Sequence, residues 1–260
     1  LAQLTFAPVS DKNRYFIELA FDGTRYHGWQ IQQNAISVQE VLNQALSTLL
    51  RIAVETTGCG RTDSGVHARQ LFVHFDVETT GNYILSAVFM KSLNSLLPTD
   101  ISAKRIMAVG ADAHARFDAT SRSYQYHIHF QKDPFRQGFS WYIRDVPDIG
   151  LMNEAALIMM EYRDFSCFSR SHTQVKTNNC VITEARWDWI DDGLVFNISA
   201  DRFLRNMVRA IVGTLLMVGR KEIKPESLRE IIESKNRSNA GSSVPACGLF
   251  LTEVKYPYIN

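Results

Sequence analysis

The sequence predicts an α+β fold built from two copies of one split βαβ (ferredoxin-like) unit. Three observations carry this reading. Apolar residues recur at every second position in some runs and at helical spacing in others. The two kinds of run follow one another as β-α-β-β-α-β. The same order then returns in the second half of the chain, as a repeat of pattern and not of sequence. Of the 260 residues, 45% are hydrophobic and 21% charged, which supplies enough apolar surface for a sizeable core.

The first unit opens with a strand from Arg14 to Phe21, where Tyr15, Ile17, Leu19 and Phe21 share a face. Asp22-Gly23 ends it. Ser37 and Glu40 are spaced as a capping box, and Val38, Val41, Leu42, Ala45, Leu46 and Leu49 follow at helical spacing. A short strand is expected from Ala53 to Thr57 and another from Leu71 to Val77. A helix from Ile84 to Leu97 stops at Pro98, and Ile101 to Val109 returns as a strand.

The second unit repeats the order. Tyr124, Tyr126, Ile128 and Phe130 alternate on a strand from Ser121 to Phe130. A helix follows from Leu151 to Tyr162. Strands near 181–190 and 194–200 are split by Asp191-Asp192-Gly193. A long helix is expected from about Arg202 to Val218, and Pro225 starts another that runs to about Ser234. Gly248 to Tyr256 closes the chain as a strand. The units divide as 1–113 and 114–260, joined around 110–120. The longer loops are 22–36, 58–70, 131–150, 163–179 and 236–247, and loops of that length in a compact domain are often functional.

Net charge is +1, so any basic surface must come from local clustering. The four cysteines are far apart and form no C-x-x-C pair, which excludes a zinc-type or disulfide-scaffold pattern and fits reduced thiols in the cytoplasm. Residues 1–13 hold no long apolar run, so no signal peptide is expected. The longest uncharged apolar run, Ala210 to Gly219, is too short to span a bilayer.

Turn chemistry and charge concentrate in GCGRTDSGVHA, residues 58–68. Two readings fit. In one, Asp63 caps a turn, Arg61 pairs with it and the glycines supply positive φ. In the other, Arg61 favours the charged form of Asp63, which then acts as nucleophile or base. Glycoside hydrolysis needs a second acid, and this loop has none. His67 is expected to be structural.

In FDGTRYHGWQ, residues 21–30, packing of Tyr26, His27 and Trp29 onto their own domain is expected over base stacking. Tyr124 and Tyr126 share a strand face; one of them could line a cleft. Arg202, Arg205 and Arg209 lie within about 60° of one another on the expected helix. That face is either a solvated surface or a set of phosphate contacts. His127 and His129 share a face, but no third metal ligand is nearby.

These stretches together resemble the TruA family of tRNA pseudouridine synthases. The resemblance lies in FDGTRYHGWQ (21–30), SVQEVLNQAL (37–46), GCGRTDSGVHA (58–68), HARFDATSRSYQY (114–126), FLRNMVRAIVG (203–213) and PACGLFLTEVKYP (245–257). Cys59 stands where the family often has Ala. The resemblance implies a mostly antiparallel mixed sheet with helices on one face and a catalytic cleft between the units. It implies Asp63 as the catalytic aspartate, Arg61 as the arginine paired with it, Tyr124 as the ring that stacks on the target base and assists proton removal, and Arg209 as a second arginine near the carboxylate. Contacts of Arg202 and Arg205 with tRNA are this reading's own extension. It further implies isomerisation of uridine to pseudouridine at positions 38, 39 and 40 of the tRNA anticodon arm by a cytoplasmic homodimer, without metal or cofactor. A catalytically inactive RNA-binding protein and a hydrolase using Asp63 are the alternatives.

Overall fold

The computed structural model describes residues 12–78, 83–169 and 177–259. Residues 1–11 and part of the expected 163–179 loop lie outside the described residues. Nine strands form one mixed, mostly antiparallel sheet: β1 (Asn13–Phe21), β2 (Thr57–Gly58), β3 (His67–Val77), β4 (Ile101–Val109), β5 (Ser121–His129), β6 (Trp141–Tyr142), β7 (Ile182–Ile190), β8 (Gly193–Ala200) and β9 (Leu249–Lys255). Five α-helices accompany them: α1 (Val38–Leu50), α2 (Ala87–Leu96), α3 (Ile149–Met159), α4 (Met207–Gly219) and α5 (Ser227–Glu233).

The alternating runs became strands and the helical ones helices, because each buries the apolar face that its period creates. Ser37 caps α1 as its spacing implies, its hydroxyl accepting the Glu40 N–H at 3.2 Å. The spatial order along the sheet is β4-β1-β3-β9-β5-β8-β7, with β2 on β3 and β6 on β5. In each half the first strand therefore lies between the last and the one before it: β1 between β3 and β4, β5 between β8 and β9.

Two apolar clusters lie along this sheet. One gathers Phe16, Leu42, Phe72, Phe75 and Phe89. The other gathers Tyr126, Phe165, Trp187, Phe196 and most of α4. The 110–120 connection is packed, with Ala113, Ala115 and Ala119 buried in the first cluster. Within the sheet the halves meet through two parallel pairs, His67 with Phe250 and Ala68 with Leu251. Farther along the same edge, Val73 and His74 pair with β2.

Three sequence expectations shift. β3 begins at His67, so the central loop is shorter than 58–70. The strand expected at Ala53–Thr57 is only Thr57–Gly58. The expected helix from Arg202 begins at Met207, because Asn206 takes a left-handed φ of 66° and stops the helix from extending backwards. Among the described residues no helix is long and apolar enough to cross a membrane.

The fold also stores a neutral histidine. His74 is buried, and its Nδ1 accepts the Ala115 N–H at 3.1 Å. Burial, then the positive charges of Arg14 and His114, push its pKa down to about 4, against weaker opposite effects of Asp76 and Asp118. An unfolded imidazole titrates near 6.5, so on acidification the unfolded chain binds a proton that native His74 refuses. Stability held above pH ~6.5 is therefore lost as pH falls from there towards about 4. Urea unfolding at stepped pH should show this decline, and His74→Gln, which keeps an acceptor but cannot titrate, should make it shallower, with His127, held down to about 4 by burial, supplying part of the remainder. An identical slope in the variant would show that His74 is not the group responsible.

Candidate active site

The loop between β2 and β3 is held by a second loop, 22–30, which lies against it backbone to backbone. Trp29 donates its N–H to the Thr62 carbonyl at 3.3 Å. The Tyr26 carbonyl accepts the Gly65 N–H at 3.2 Å and the Ser64 hydroxyl at 3.3 Å. Gly28 makes this approach possible: its φ is +88°, and a Cβ there would overlap the Thr62 carbonyl oxygen.

Loop 22–30 is anchored in turn. Tyr26 and Trp29 are buried, as expected of packing residues, whereas His27 is exposed. The Tyr26 hydroxyl and Arg25 Nε both donate to Asp100, each at 2.7 Å. His67 is structural too: its buried ring stacks on Phe250, and Nδ1 accepts the Gly23 N–H at 3.1 Å. The Asp63 carbonyl accepts the Val66 N–H at 3.1 Å, which closes a tight turn around Ser64 and Gly65.

Asp63 therefore sits on a rigid turn at the seam between the halves, with 26% of its side chain exposed. Its charge is answered from the other half of the chain. Arg209 Nη1 lies 3.5 Å from Oδ2, and Arg205 Nε lies 3.9 Å from Oδ1. Arg61, the arginine the sequence paired with Asp63, makes no such contact among the described residues. Its side chain is exposed.

Arg209 is placed by α4. This helix is apolar almost all round and is buried accordingly. Gly213 lets the 241–244 segment run directly against it, since a side chain there would overlap the Ser242 carbonyl. That contact brings the Val244 carbonyl to within 2.7 Å of Arg209 Nε, leaving Nη1 aimed at Asp63.

Arg202 and Arg205 are not on a helical face with Arg209. They lie in the segment before α4, held by Asn206, whose side-chain amide donates to the Ser243 hydroxyl. Arg205 still reaches Asp63 from there, and Arg202 does not.

Tyr124 stands where the two apolar clusters meet and is half-buried. Opposite the Ser123–Tyr124 step β9 carries one extra residue, Thr252, while β5 itself keeps regular register with β8. The Tyr124 ring meets Phe203 edge-on at 5.1 Å between centroids. Burial, with Cys59 and Asp63 adding to it, raises the phenol pKa well above its ordinary value, so the hydroxyl keeps its proton at neutral pH. Tyr126 is fully buried, donating to the Pro245 carbonyl at 2.8 Å. Of the two tyrosines, Tyr124 faces the site and Tyr126 belongs to the core.

One organising residue escaped the sequence reading. Arg122, two residues before Tyr124, donates to four backbone carbonyls: Ala119, Asp201, Cys59 and Arg116, at 2.7–3.0 Å. The only trace in the sequence is an arginine at i−2 from the candidate tyrosine. The arrangement as a whole is a carboxylate on a rigid turn, faced by two guanidinium groups, with a neutral phenol ring beside it. It can present a nucleophile to a substrate and hold a flat ring next to it. Among the described residues no cluster could hold a metal ion.

A model of the tRNA pseudouridine synthase family matches residues 19–118 and 162–257. The chain is 53% identical over 245 residues to tRNA pseudouridine synthase A of Bacteroides fragilis, covering 94% of this chain and 96% of that protein. It is 53% identical over 247 residues to the protein of the same name in Bacteroides thetaiotaomicron, covering 94% of this chain and 91% of that one. Against tRNA pseudouridine synthase A of Clostridium acetobutylicum the identity is 38% over 242 residues, covering 92% and 98%.

Gly28→Ala should destabilise the protein by about 2–4 kcal/mol, because it combines a disfavoured φ with a backbone overlap. Urea unfolding measures this directly. A loss under about 0.5 kcal/mol would mean that the two loops separate without cost.

Proposed function

The chain belongs to the tRNA pseudouridine synthases, isomerases acting on tRNA, and on that footing we propose that it converts uridine to pseudouridine at positions 38, 39 and 40 of the anticodon arm with Asp63 as nucleophile. The observation that carries the reading is the Asp63 carboxylate, partly exposed on its turn, with Tyr124 beside it. Asp63 attacks an electrophilic carbon of the nucleoside, and the bond between N1 of uracil and C1′ of ribose breaks. The uracil turns, C5 bonds to C1′, and the ester bond to Asp63 breaks, which returns the free carboxylate. The C5 proton leaves to solvent and N1 gains one, so the product is an isomer and no cofactor is consumed.

The other groups serve that step. Arg209 and Arg205 hold the carboxylate in place through charge-assisted contacts. The Tyr124 ring covers the detached base, which keeps isomerisation ahead of loss to water. Because its phenol is neutral, Tyr124 contributes a ring and a hydroxyl, not a phenolate. The target uridine must leave its stack, at a cost of a few kcal/mol, which contacts to the RNA backbone offset. In this reading 1–113 supplies the nucleophile, 114–260 supplies the tyrosine and the arginines, and the chain works as a cytoplasmic homodimer.

Formation of pseudouridine from tRNA tritiated at uridine C5 releases tritium to water. The native chain should release it, and Asp63→Ala, folded by thermal melting, should do so at least about 10³-fold more slowly. Mapping the product should place it at positions 38–40. Equal release by both proteins would remove Asp63 from the chemistry, and recovery of free uracil would identify a hydrolase instead.

A further inference from the structure

Arg122 does more than close a hydrogen-bond inventory. A guanidinium has five N–H donors and no acceptor, so it can bind several carbonyls at once. Here a single nitrogen, Nη2, donates to both Cys59 O and Arg116 O, and Nη1 donates to Ala119 O and Asp201 O. Three chain segments distant in sequence are thereby drawn to one point. Each carries another arginine at or beside the bonded carbonyl: Arg61 two residues after Cys59, Arg116 itself, and Arg202 next to Asp201.

These three differ from the other arginines at the seam. Arg205 and Arg209 are spent on Asp63, and Arg122 on carbonyls. Among the described residues, the side chains of Arg61, Arg116 and Arg202 make no hydrogen bond and no ion pair to an acidic group. Arg116 also feels the others: burial and the charges of Arg61, Arg202 and Arg122 lower its pKa. Like charges assembled without counter-charge are a standing electrostatic cost, and a bound anion would relieve it.

Beside them stands Phe117. It is 74% exposed although large and apolar, and its ring lies against His114 at 4.2 Å and under the Arg116 guanidinium at 5.7 Å. Cys59 is four residues from Asp63, so it lies no more than roughly 14 Å from it even for extended chain. Unpaired guanidinium groups next to an exposed aromatic ring are the combination that binds single-stranded nucleic acid, through phosphates and through a stacked base.

We propose that Arg61, Arg116 and Arg202, gathered by Arg122, form with Phe117 a subsite for the RNA strand flanking the target uridine, the guanidinium groups taking phosphates and the Phe117 ring taking one unstacked base. The subsite rests on the function proposed above and extends it to the strand next to the reacting nucleotide. Arg122 is its positioning residue, not a contact.

The two kinds of contact leave different marks on salt dependence. Each phosphate contact releases counterions and steepens the fall of affinity with salt, whereas stacking does not. Binding of an unmodified tRNA transcript to the full chain, followed by fluorescence anisotropy from 50 to 300 mM KCl, separates them. Arg116→Gln should weaken binding and reduce the slope of log K against log[KCl] by about 1. Phe117→Ala should weaken binding about tenfold with the slope unchanged, and Phe117→Trp should restore it. Thermal melting and sedimentation of each variant test whether it is folded and in the wild-type oligomeric state.

Wild-type affinity and slope in both variants would overturn the subsite. So would a Phe117→Ala defect that coincides with loss of the oligomer, since the ring would then belong to a subunit contact. The tritium assay keeps the two proposals apart. Native protein that binds tRNA with the expected slopes but releases no tritium would overturn the isomerase reading alone. Tritium release with wild-type affinity and slope in both variants would overturn the subsite alone.

Discussion

The pairing of Asp63 with Arg209 is the constraint around which the seam of this molecule is organised. The two residues are 146 positions apart and belong to opposite halves of the sheet. A carboxylate three-quarters withdrawn from water needs a partner, and the first half of the chain does not supply one. The partners come from α4 and from the segment before it. Beside the two parallel strand pairs and the apolar packing between the halves, this contact and those of Arg122 join one half to the other around Asp63.

Each participant is held by something that is not itself reactive. Loop 22–30 clasps the Asp63 turn through main-chain bonds. Asp100 holds Arg25 and Tyr26 within that loop. The Val244 carbonyl fixes the Arg209 side chain. Geometry of this kind is set before substrate arrives, so little reorganisation remains for the reaction itself. It also divides the arginines by task. Some are bonded to the carboxylate or to carbonyls, and others at the seam make no such bond among the described residues.

Tyr124 shows how one environment selects a role. Two tyrosines share a strand face, and both have phenols raised by burial. Tyr126 spends its hydroxyl on the Pro245 carbonyl inside the core. Tyr124 lies between the two clusters with Phe203 at its edge. A neutral ring there suits a flat, uncharged base, and a neighbouring carboxylate does not make it ionise.

Much of the fold was legible from local rules. Period-two and helical runs located the main strands and helices, and Ser37 with Glu40 marked the start of α1, because each signal arises within a few adjacent residues. The loop around Asp63 was legible as a concentration of turn chemistry. The arginines that answer Asp63 were legible only in part: the resemblance placed Arg209 near the carboxylate, where the structure has it, whereas adjacency favoured Arg61 and the fold brings Arg205 there instead. The start of α4 was also misjudged, because the left-handed turn at Asn206 follows from packing against the 241–244 segment and leaves no period in the sequence. Arg122 could not be read as a hub, since its four carbonyls converge only once β5, the 116–119 segment and the 201 turn have assembled. The sequence by itself determined the main elements and the turn that carries Asp63, which depend on neighbours along the chain. Only the tertiary structure decided which charges meet, because charge pairing depends on distance in space and the partners lie on strands and helices that the chain brings together last.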